Sequence, residues 1–504
     1  MREQALGKDW NKRRSRGAFI TGAASAFFLA VLCLGCGTAN GPVATQRGPL
    51  YTFMSDAPLG DVLTFRLAFS GMSLAVSGSA TNRVVLFPTA SLAPTVKLNF
   101  ASLRDVPNIF YLTTAPVVSY DGLYLTLSLN QMVVYDPTLS PPVRTVPIKL
   151  HTSPAPLPIQ PELTVTTTSV QTLKVDFDMV RSIAVDAQGQ VTGDVTPHFT
   201  VTQVTPTSAD GFGYFDNILG FVSSVTPYPI GQTFTGAIAV QTLSGTGPLL
   251  TVYLTGQTDF YGVPDLASLE TGRIVEVGAY MDSSGNVVAR NIEVEDRASI
   301  ADYQIAFVGV VLPDPVKDSN GNVTQFQLFV NREEPDQSSA VPLDTVVTVN
   351  VSPSTVFQVS SRTSNFANFP FDAAAIAVGQ ELIVHGVYST FKDQPTIVAP
   401  TSIYLRLQTM QGKMQSLVQV GSDDKTGAFW LVPDGKILQG APLLVLTSQE
   451  TNYVNVFGLG QITALSSLLV RGLPFYQATA TTFNGISVPA GTMVVVARQV
   501  HVLQ

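Results

Sequence analysis

The sequence predicts an all-β chain in which a two-sheet sandwich is followed by three small barrels. Charged residues make up 13% of the 504 positions, well below the usual share of about a quarter, while Gly (39) and Pro (33) are plentiful. Apolar residues alternate with polar ones at a period of two, which is typical of strands. A stretch of about ninety residues recurs three times, which indicates a repeated domain. The length allows several separate cores.

The amino terminus has the layout of an export signal. Lys12-Arg-Arg14 and Arg16 precede an uncharged run from Gly17 to Gly35, and Leu32-Cys-Leu-Gly35-Cys36 ends the run. This ending resembles that of bacterial lipoproteins. The resemblance implies a signal peptide over residues 1–35, cleavage after Gly35, lipid attachment at Cys36 and a polar tether over residues 36–49. The alternative is an uncleaved membrane anchor, because the run is just long enough to span a bilayer.

The same resemblance implies a location in the bacterial cell envelope. Gly37 follows the lipid-bearing cysteine where Asp would retain the protein at the inner membrane, so the outer membrane is the expected destination. The membrane is then a partner through the lipid, and the face that the chain occupies stays open. Both cysteines, Cys33 and Cys36, lie in this segment, so the rest of the chain has no disulfide or thiolate metal site.

Residues 50–207 are predicted to form a sandwich of immunoglobulin-like or transthyretin-like type with antiparallel strands. Three segments alternate clearly, each with one apolar face: 63–69, 123–129 and 173–179. Proline-rich stretches at 136–142 and 153–158 separate strands and predict loops.

Ser55-Asp-Ala-Pro58 and the segments 121–129 and 173–186 resemble an uncharacterised bacterial family, a domain of unknown function of secreted lipoproteins. That family has no established activity to carry over. Asp56, Asp176 and Asp178 could share a calcium ion, since hard cations bind several oxygens. The alternative is that Asp56 stabilises the Ala-Pro turn while Asp176 and Asp178 face water.

The repeated stretch has four landmarks in the same order. The first copy contains Gly220-Phe-Val222, Thr258-Asp-Phe260, Gly272-Arg-Ile-Val-Glu-Val-Gly278 and Ala289-Arg-Asn-Ile292. The second contains Gly309-Val-Val311, Thr355-Val-Phe357, Gly379-Gln-Glu-Leu-Ile-Val-His-Gly386 and Ala399-Pro-Thr-Ser-Ile403. The third contains Ser416-Leu-Val418, Thr451-Asn-Tyr453, Ser466-Ser-Leu-Leu-Val-Arg-Gly472 and Ala497-Arg-Gln-Val500. The third copy is expected to have lost its opening glycine at Ser416.

Each copy is predicted to be a small closed barrel, because glycines allow the strands to bend at barrel corners. Asp282-Ser-Ser-Gly285-Asn286 and Asp318-Ser-Asn-Gly321-Asn322 predict hairpin turns rather than calcium loops. The order of landmarks resembles a second uncharacterised bacterial family, whose members are expected to be OB-like barrels. The expected bounds are 216–296, 303–407 and 412–504.

The composition disfavours a polyanion partner. The chain carries 28 Lys plus Arg against 36 Asp plus Glu. Six basic and two acidic residues fall in the first 35 positions, so the remainder has a net charge near −12. Nucleic acid is therefore not an expected partner, because phosphate contacts need clustered basic residues.

An OB-like fold also binds oligosaccharides, on which exposed aromatic rings can stack. The candidate ligand-binding aromatics are Tyr261, Tyr280, Tyr388, Trp430 and Tyr453, with core packing as the alternative for each. The sequence contains no zinc-protease motif, nucleophile elbow or phosphate loop, so neither catalytic residues nor a cofactor are expected. The expected function is a non-enzymatic binding or scaffolding module of the cell envelope, and the alternative is a carbohydrate-binding surface protein or an accessory to polysaccharide processing.

Overall fold

A computed structural model describes residues 46–503 with gaps at 58, 80, 88–95, 103–107, 129–130, 205–213, 243–248, 283, 295–303, 335–342, 360–369, 392–393, 439–440 and 484. These residues belong to one compact unit. The expected signal peptide and most of the tether lie outside the described residues. Strand β1 begins at Arg47, so the last residues of the expected tether already form part of the fold.

The first body contains fourteen strands. They are β1 (Arg47–Ala57), β2 (Val62–Val76), β3 (Arg83–Phe87), β4 (Val96–Asn99), β5 (Asn108–Pro116), β6 (Ser119–Ser128), β7 (Gln131–Tyr135), β8 (Val143–Pro147), β9 (Lys149–Leu150), β10 (Leu157–Thr164), β11 (Gln171–Asp178), β12 (Ile183–Val185), β13 (Val191–Val195) and β14 (Phe199–Val204). A single helical turn, α1 (Met179–Ser182), and a 3₁₀ turn at Phe100–Ser102 interrupt them. The three alternating segments predicted from sequence lie in β2, β6 and β11.

The first body is built around one apolar core. Eleven strands form one hydrogen-bonded path, β5-β1-β11-β14-β10-β6-β2-β7-β8 with β3 and β4 on β2, and β12-β13-β9 form a small separate sheet. Strands from both ends of the path contribute to the core. In it, Phe177 stacks on Phe65 at 5.4 Å and contacts Phe100 at 4.8 Å between ring centroids. Ring contacts of this kind add to the free energy of burial.

The prediction of antiparallel pairing is wrong at three places. β1 runs parallel to β11, from Leu50 beside Gln171 to Ala57 beside Asp178, β10 runs parallel to β14, and β9 runs parallel to β13. Parallel neighbours need a long connection, and the residues between β1 and β11 supply it. An alternating pattern fixes which face of a strand is buried but not the direction of its neighbour. Residues 55–57 of the expected turn form the end of β1, and Pro58 lies outside the described residues.

The other three bodies contain the remaining strands. The first barrel has β15 (Tyr214–Pro227), β16 (Gly236–Thr242), β17 (Leu250–Leu254), β18 (Asp259–Tyr261), β19 (Ile274–Met281) and β20 (Val287–Val294). The second has β21 (Gln304–Val311), β22 (Val316–Lys317), β23 (Val323–Glu334), β24 (Thr345–Asn350), β25 (Val356–Val359), β26 (Glu381–Phe391) and β27 (Gln394–Leu405). The third has β28 (Gln408–Val420), β29 (Gly427–Pro433), β30 (Leu443–Thr447), β31 (Asn452–Val454), β32 (Ser467–Gln477), β33 (Thr481–Phe483), β34 (Ile486–Val488) and β35 (Thr492–Val502).

All three barrels close in the same way. In the first, β15 pairs antiparallel with β16 and β19, β16 pairs with β17, and a parallel contact between β17 and β20 closes the ring through β19. The second barrel repeats this with β21, β23, β24, β26 and β27, and the third with β28, β29, β30, β32 and β35. A short strand and a 3₁₀ turn follow the third strand in every copy. The prediction of repeated small barrels is confirmed.

A glycine near the middle of the first strand lets the second strand approach closely. A Cβ atom at Gly220, Gly309 or Gly412 would lie 2.3–2.4 Å from a carbonyl oxygen of that neighbour. The equivalent of the opening glycine in the third barrel is therefore Gly412, and the expected loss at Ser416 is wrong. Consistently, the third barrel begins at Gln408 rather than at residue 412.

A backbone hydrogen bond at the turn before β19, β26 or β32 confirms this correspondence. Gly272 donates to the carbonyl of Val222 at 2.7 Å, and Gly379 donates to that of Val311 at 2.9 Å. In the third barrel Leu465 donates to Met414 at 2.8 Å. Each acceptor lies two residues after its glycine. Leu465 takes the left-handed conformation of the two glycines, with φ 70°, so this landmark was hidden in the sequence.

The two predicted hairpin turns are present. The carboxylate of Asp282 accepts hydrogen bonds from the backbone of Ser284 and Asn286, and Gly285 has φ 81°. Asp318 makes the same pattern with Asn320 and Asn322. The carboxylates are saturated by the turn itself, which is the behaviour expected of Asx turns.

Candidate functional site

The outward face of the second and third strands of the first barrel carries a pair of aromatic rings. In β17, Leu250, Val252 and Leu254 are buried, so Thr251 and Tyr253 point away from the barrel core. Phe234 reaches the same place from the loop between β15 and β16. The two rings are stacked, with 4.6 Å between centroids and 30° between planes, and both are half-buried.

Tyr51 of β1 brings a third ring to this place, at the joint between the first body and the first barrel. It packs against the core of the first barrel. Burial raises the pKa of its hydroxyl, and the neighbouring Tyr253 raises it further. Tyr51, Phe234 and Tyr253 are called the aromatic cluster below. Ile230, in the same loop as Phe234, is fully exposed.

The corresponding faces of the other two barrels are different. In the third barrel, Ala428, Leu444 and Leu446 are buried in a core that the second and third barrels share. In the second barrel the face is polar at Gln325 and Asn350, where Gln325 Nε2 donates to Asn350 Oδ1 at 2.6 Å, while Phe329 of the same face is buried against residues of the first body. The aromatic cluster therefore has no counterpart at these positions of the other two barrels.

The five aromatic residues chosen from the sequence are spread over three barrels. Tyr261 lies in β18 and Tyr388 in β26, and both side chains fall outside the described residues. Tyr280 is half-buried in β19 beside Tyr214 of β15. These three positions leave the sugar-stacking hypothesis a prediction.

Trp430 and Tyr453 are engaged in packing. Trp430 lies against the core shared by the second and third barrels. Tyr453 packs on the core of the third barrel, and its hydroxyl donates to the carbonyl of Lys425 at 2.7 Å. Burial raises the pKa of Tyr453 to about 12. Phe234 and Tyr253 were not among the aromatic residues chosen from the sequence, although the alternating pattern over 250–254 indicates that Tyr253 points outward.

The acidic trio lies along the β1–β11 pair. Asp176 is 3.6 Å from Lys174 Nζ, and Asp178 accepts the backbone N–H of Arg181 at 2.9 Å, capping α1. Asp56 is in register with Phe177, and its side chain lies outside the described residues. Among the side chains that are described, no three His, Cys, Asp or Glu residues are grouped as a metal site. The calcium hypothesis stays a prediction.

Gly35 and Cys36 lie outside the described residues, so cleavage and lipid attachment also stay predictions. Over the part of the chain that is described, no helix has the length and apolarity needed to cross a membrane.

Buried polar contacts hold the first body to the second barrel. The guanidinium of Arg66 in β2 donates to Asp344 Oδ2 and, at 2.8 Å, to the carbonyl of Asn331. Gln131 Nε2 donates to the same carboxylate oxygen at 2.6 Å. The side chains of Arg66 and Asp344 are 12% and 4% exposed. A buried pair of this kind is costly to break on one side only.

A second buried cation joins the first two barrels. Arg406, between β27 and β28, lies 3.7 Å from Glu276 of β19 and 3.4 Å from Glu381 of β26. Next to it, Gln380 Nε2 donates to the carbonyl of Pro474 in β32 at 2.9 Å and so links the second and third barrels. These contacts join the first body and the other two barrels to the second barrel.

A cleft of about 60 Å³ lies where the first body meets the second and third barrels. Leu63, Val310, Met410, Gln411 and Asp434 contribute to its lining. Desolvation raises the pKa of Asp434. At roughly 10–15 Å³ per water the cleft has room for a few water molecules but not for a sugar ring, so it is part of the joint.

A family model matches part of the first barrel. Residues 248–293 match the family model described as "Domain of unknown function (DUF5666)". The match runs from just before β17 into β20 and includes Tyr253. The resemblance to an uncharacterised family is thus supported within the first barrel. A comparison with curated proteins found no match.

Among solved structures, one titled "drosophila Unr CSD456" is 11% identical, with 57% of this chain and 97% of that chain covered and a TM-score of 0.13. A likeness at that TM-score carries no argument about fold or function.

Proposed function

We propose that this chain is a non-enzymatic lipoprotein of the bacterial cell envelope that serves as a rigid binding and scaffolding module. The support for the anchor is the signal-like run over residues 17–35 and the cysteine at position 36, which together resemble a lipoprotein signal. Several acyl chains on one cysteine bury far more methylene than one chain does, so attachment would be effectively permanent. The outer membrane is the proposed location.

The observation that carries the scaffolding part is the set of buried contacts between the bodies. Arg66 with Asp344, and Arg406 with Glu276 and Glu381, are at most 15% exposed and tie separate sheets together. Hinged domains meet through small, more polar and solvated interfaces. Four β bodies joined by buried charges, with an apolar core shared by the second and third barrels, instead favour a platform that presents its surfaces in a fixed arrangement.

Metabolic labelling with a clickable fatty acid tests the anchor. Cys36→Ser is expected to abolish labelling and to leave the precursor uncut, while the matched variant Cys33→Ser keeps both labelling and processing. Equal labelling of Cys36→Ser and the parent chain would refute the lipoprotein assignment.

Carbohydrate binding is the second candidate, and the aromatic cluster favours it. In OB-like barrels the face of the second and third strands and the loop between the first two strands bind oligosaccharides. Tyr253 lies on that face and Phe234 in that loop. Their ring faces and edges provide the apolar surface on which a sugar ring stacks. The ligand in this case is a polysaccharide of the envelope.

A glycan array tests this candidate. Tyr253→Ala is expected to remove a specific signal, whereas Tyr476→Ala, which also truncates a half-buried tyrosine, leaves it unchanged. Equal melting temperatures of the two variants show that the loss is local. A blank array with the parent chain would eliminate the carbohydrate candidate and leave the scaffold.

A further inference from the structure

Strand β28 has a neighbour on both sides over only part of its length. Its pairing with β29 runs from Gly412 to Val420, whereas its pairing with β32 runs from Gln408 to Lys413. Over the described residues, the segment from Gln415 to Val420 therefore pairs on one side only. All six of its residues are exposed, including Leu417 and Val418 at 44% each and Val420 at 36%. This segment is called the open edge below.

The open edge has register shifts between Met414 and Ser416 and between Leu417 and Gln419, as β15 has between Val222 and Ser224, but it lacks the prolines that protect the equivalent segments of the other barrels. In the first barrel that segment ends in Pro227, and Pro229 follows closely. In the second barrel Pro313 and Pro315 follow β21. Proline cannot donate a ladder hydrogen bond, and charged residues also discourage edge pairing. The open edge reads Gln-Ser-Leu-Val-Gln-Val, with neither a proline nor a charge.

The two ends of the open edge carry complementary groups. At the start, Lys413 is exposed, and Leu465, which is 76% exposed, donates its N–H to the carbonyl of Met414. At the far end lies a turn that contains two acidic residues, Asp423 and Asp424, and one basic residue, Lys425. There Phe457 is 86% exposed beside the segment whose Leu459 N–H bonds the Asp424 carbonyl at 2.6 Å.

We propose that the open edge pairs antiparallel with the same edge of a second copy of this chain, so that two copies form a symmetric dimer. A strand with an unpaired row of N–H and C=O groups is a template for another strand. In an antiparallel pair with the two-fold axis at Val418, the start of one edge faces the end of the other, and position 413 lies opposite position 423. Lys413 then approaches the acidic turn of the other copy, and Leu465 approaches its Phe457.

The two-fold axis makes each of these contacts occur twice, as in isologous interfaces generally. A parallel arrangement or a shifted register would instead place Lys413 beside Lys413 or leave Leu465 and Phe457 exposed. The complementarity between the two ends is therefore what selects a second copy in antiparallel orientation. The surface is on the third barrel, so this dimer does not depend on the aromatic cluster.

Sedimentation velocity of the purified full-length chain over a range of concentrations tests the proposal. The parent chain is expected to show a concentration-dependent dimer. Val418→Lys places two ammonium groups close together across the axis and is expected to weaken dimerisation by roughly tenfold or more, because like charges in an interface repel. Leu417→Lys is a second variant with the same expected result.

Val85→Lys in β3 is the matched control, because Val85 is 60% exposed and lies far from the third barrel in the chain. It is expected to dimerise like the parent chain. The dimerisation of a variant is compared with that of the parent only if the two have the same melting temperature, which shows that the variant is folded. A parent chain that stays monomeric at every concentration would overturn the proposal. So would a dimer that Val418→Lys and Leu417→Lys leave as strong as Val85→Lys does.

Discussion

The hydroxyl of Thr451 donates a hydrogen bond to the carbonyl oxygen of Ala497 at 2.9 Å and accepts one from the backbone N–H of Ser448 at 2.9 Å. It joins the turn after the third strand to the last strand of the barrel. The same bond, at 2.9 Å, occurs in the other two barrels, from Thr258 to Ala289 and from Thr355 to Pro400. The recurring threonine is thus a structural clasp.

Replacing Thr451 by Val tests the clasp. Thr451 is 2% exposed, so the variant keeps the shape but leaves the N–H of Ser448 and the carbonyl of Ala497 without this partner. We expect the free energy of unfolding to fall by about 1–3 kcal/mol, measured by chemical denaturation. The matched Thr481→Val, at an exposed position of β33, should change it by less than about 0.5 kcal/mol. Equal losses would contradict the clasp.

Leu465→Gly is expected to stabilise the chain. The left-handed conformation costs an L-residue about 1–2 kcal/mol, and glycine occupies it freely at the same turn in the other barrels. Glycine's larger entropy in the unfolded chain returns about 0.4–1 kcal/mol, so we expect a net gain of roughly 0.5–1 kcal/mol. Thermal denaturation of dilute protein measures the gain. Leu139→Gly, at an exposed position without this conformation, should lower the melting temperature. A lower melting temperature for both variants would show that the left-handed conformation of Leu465 is not strained.

Asp423 should make the chain sensitive to acid. Hydrogen bonds from the backbone and side chain of Thr426 lower its pKa from 3.8 to about 2. A carboxyl whose pKa is lower in the folded state contributes stability above pH 3.8, and that contribution disappears as the pH falls to about 2. Asp423→Asn should therefore flatten the decrease of the melting temperature over this range.

Asp434 supplies a contrast of opposite sign, because burial raises its pKa. A carboxyl of that kind destabilises the folded chain above its ordinary pKa, so Asp434→Asn should raise the melting temperature at neutral pH. If Asp423→Asn leaves the acid limb unchanged, the assigned hydrogen bonds do not control this pKa.

Breaking the Arg66–Asp344 pair on one side should be more harmful than removing both partners. Asp344 has φ 69°, so it is replaced by Asn, which tolerates this conformation. Asp344→Asn leaves a buried guanidinium without its carboxylate, and the expected loss is about 3–5 kcal/mol of unfolding free energy. The double variant Arg66→Met with Asp344→Asn should recover a large part of it. Together with Arg66→Met alone these variants close a double-mutant cycle, in which additive losses would show that the two side chains do not interact.

Local chemistry made much of the barrels predictable. The threonine, the glycines that precede strands and the Asp-to-Asn hairpins act within a few residues of each other, so their spacing carries the signal. The repeat in the third barrel was aligned wrongly from the sequence, because Leu465 takes the left-handed conformation for which the other two barrels have a glycine. The true landmark, Gly412, lies four residues before the expected Ser416.

The contacts between bodies and the aromatic cluster could not be predicted. Arg66 and Asp344 are separated by 278 positions, and their meeting depends on the register of sheets in two bodies. Tyr51 and Tyr253 also belong to different bodies, so the sequence could not predict that they meet. The direction of β11 relative to β1 could not be predicted either, because a strand has the same alternating pattern whether its neighbour is parallel or antiparallel.

If the β bodies form one rigid platform, the distance between the first body and the second barrel has a single value, which spin labels can measure. Spin labels on cysteines at Val85 of the first body and Val356 of the second barrel, both exposed, are introduced after Cys33 and Cys36 are replaced by Ser. Double electron–electron resonance on dilute, singly and doubly labelled chains then gives the distribution of distances. A rigid platform gives one narrow distribution, whereas a broad or multiple distribution would show that the bodies move relative to one another.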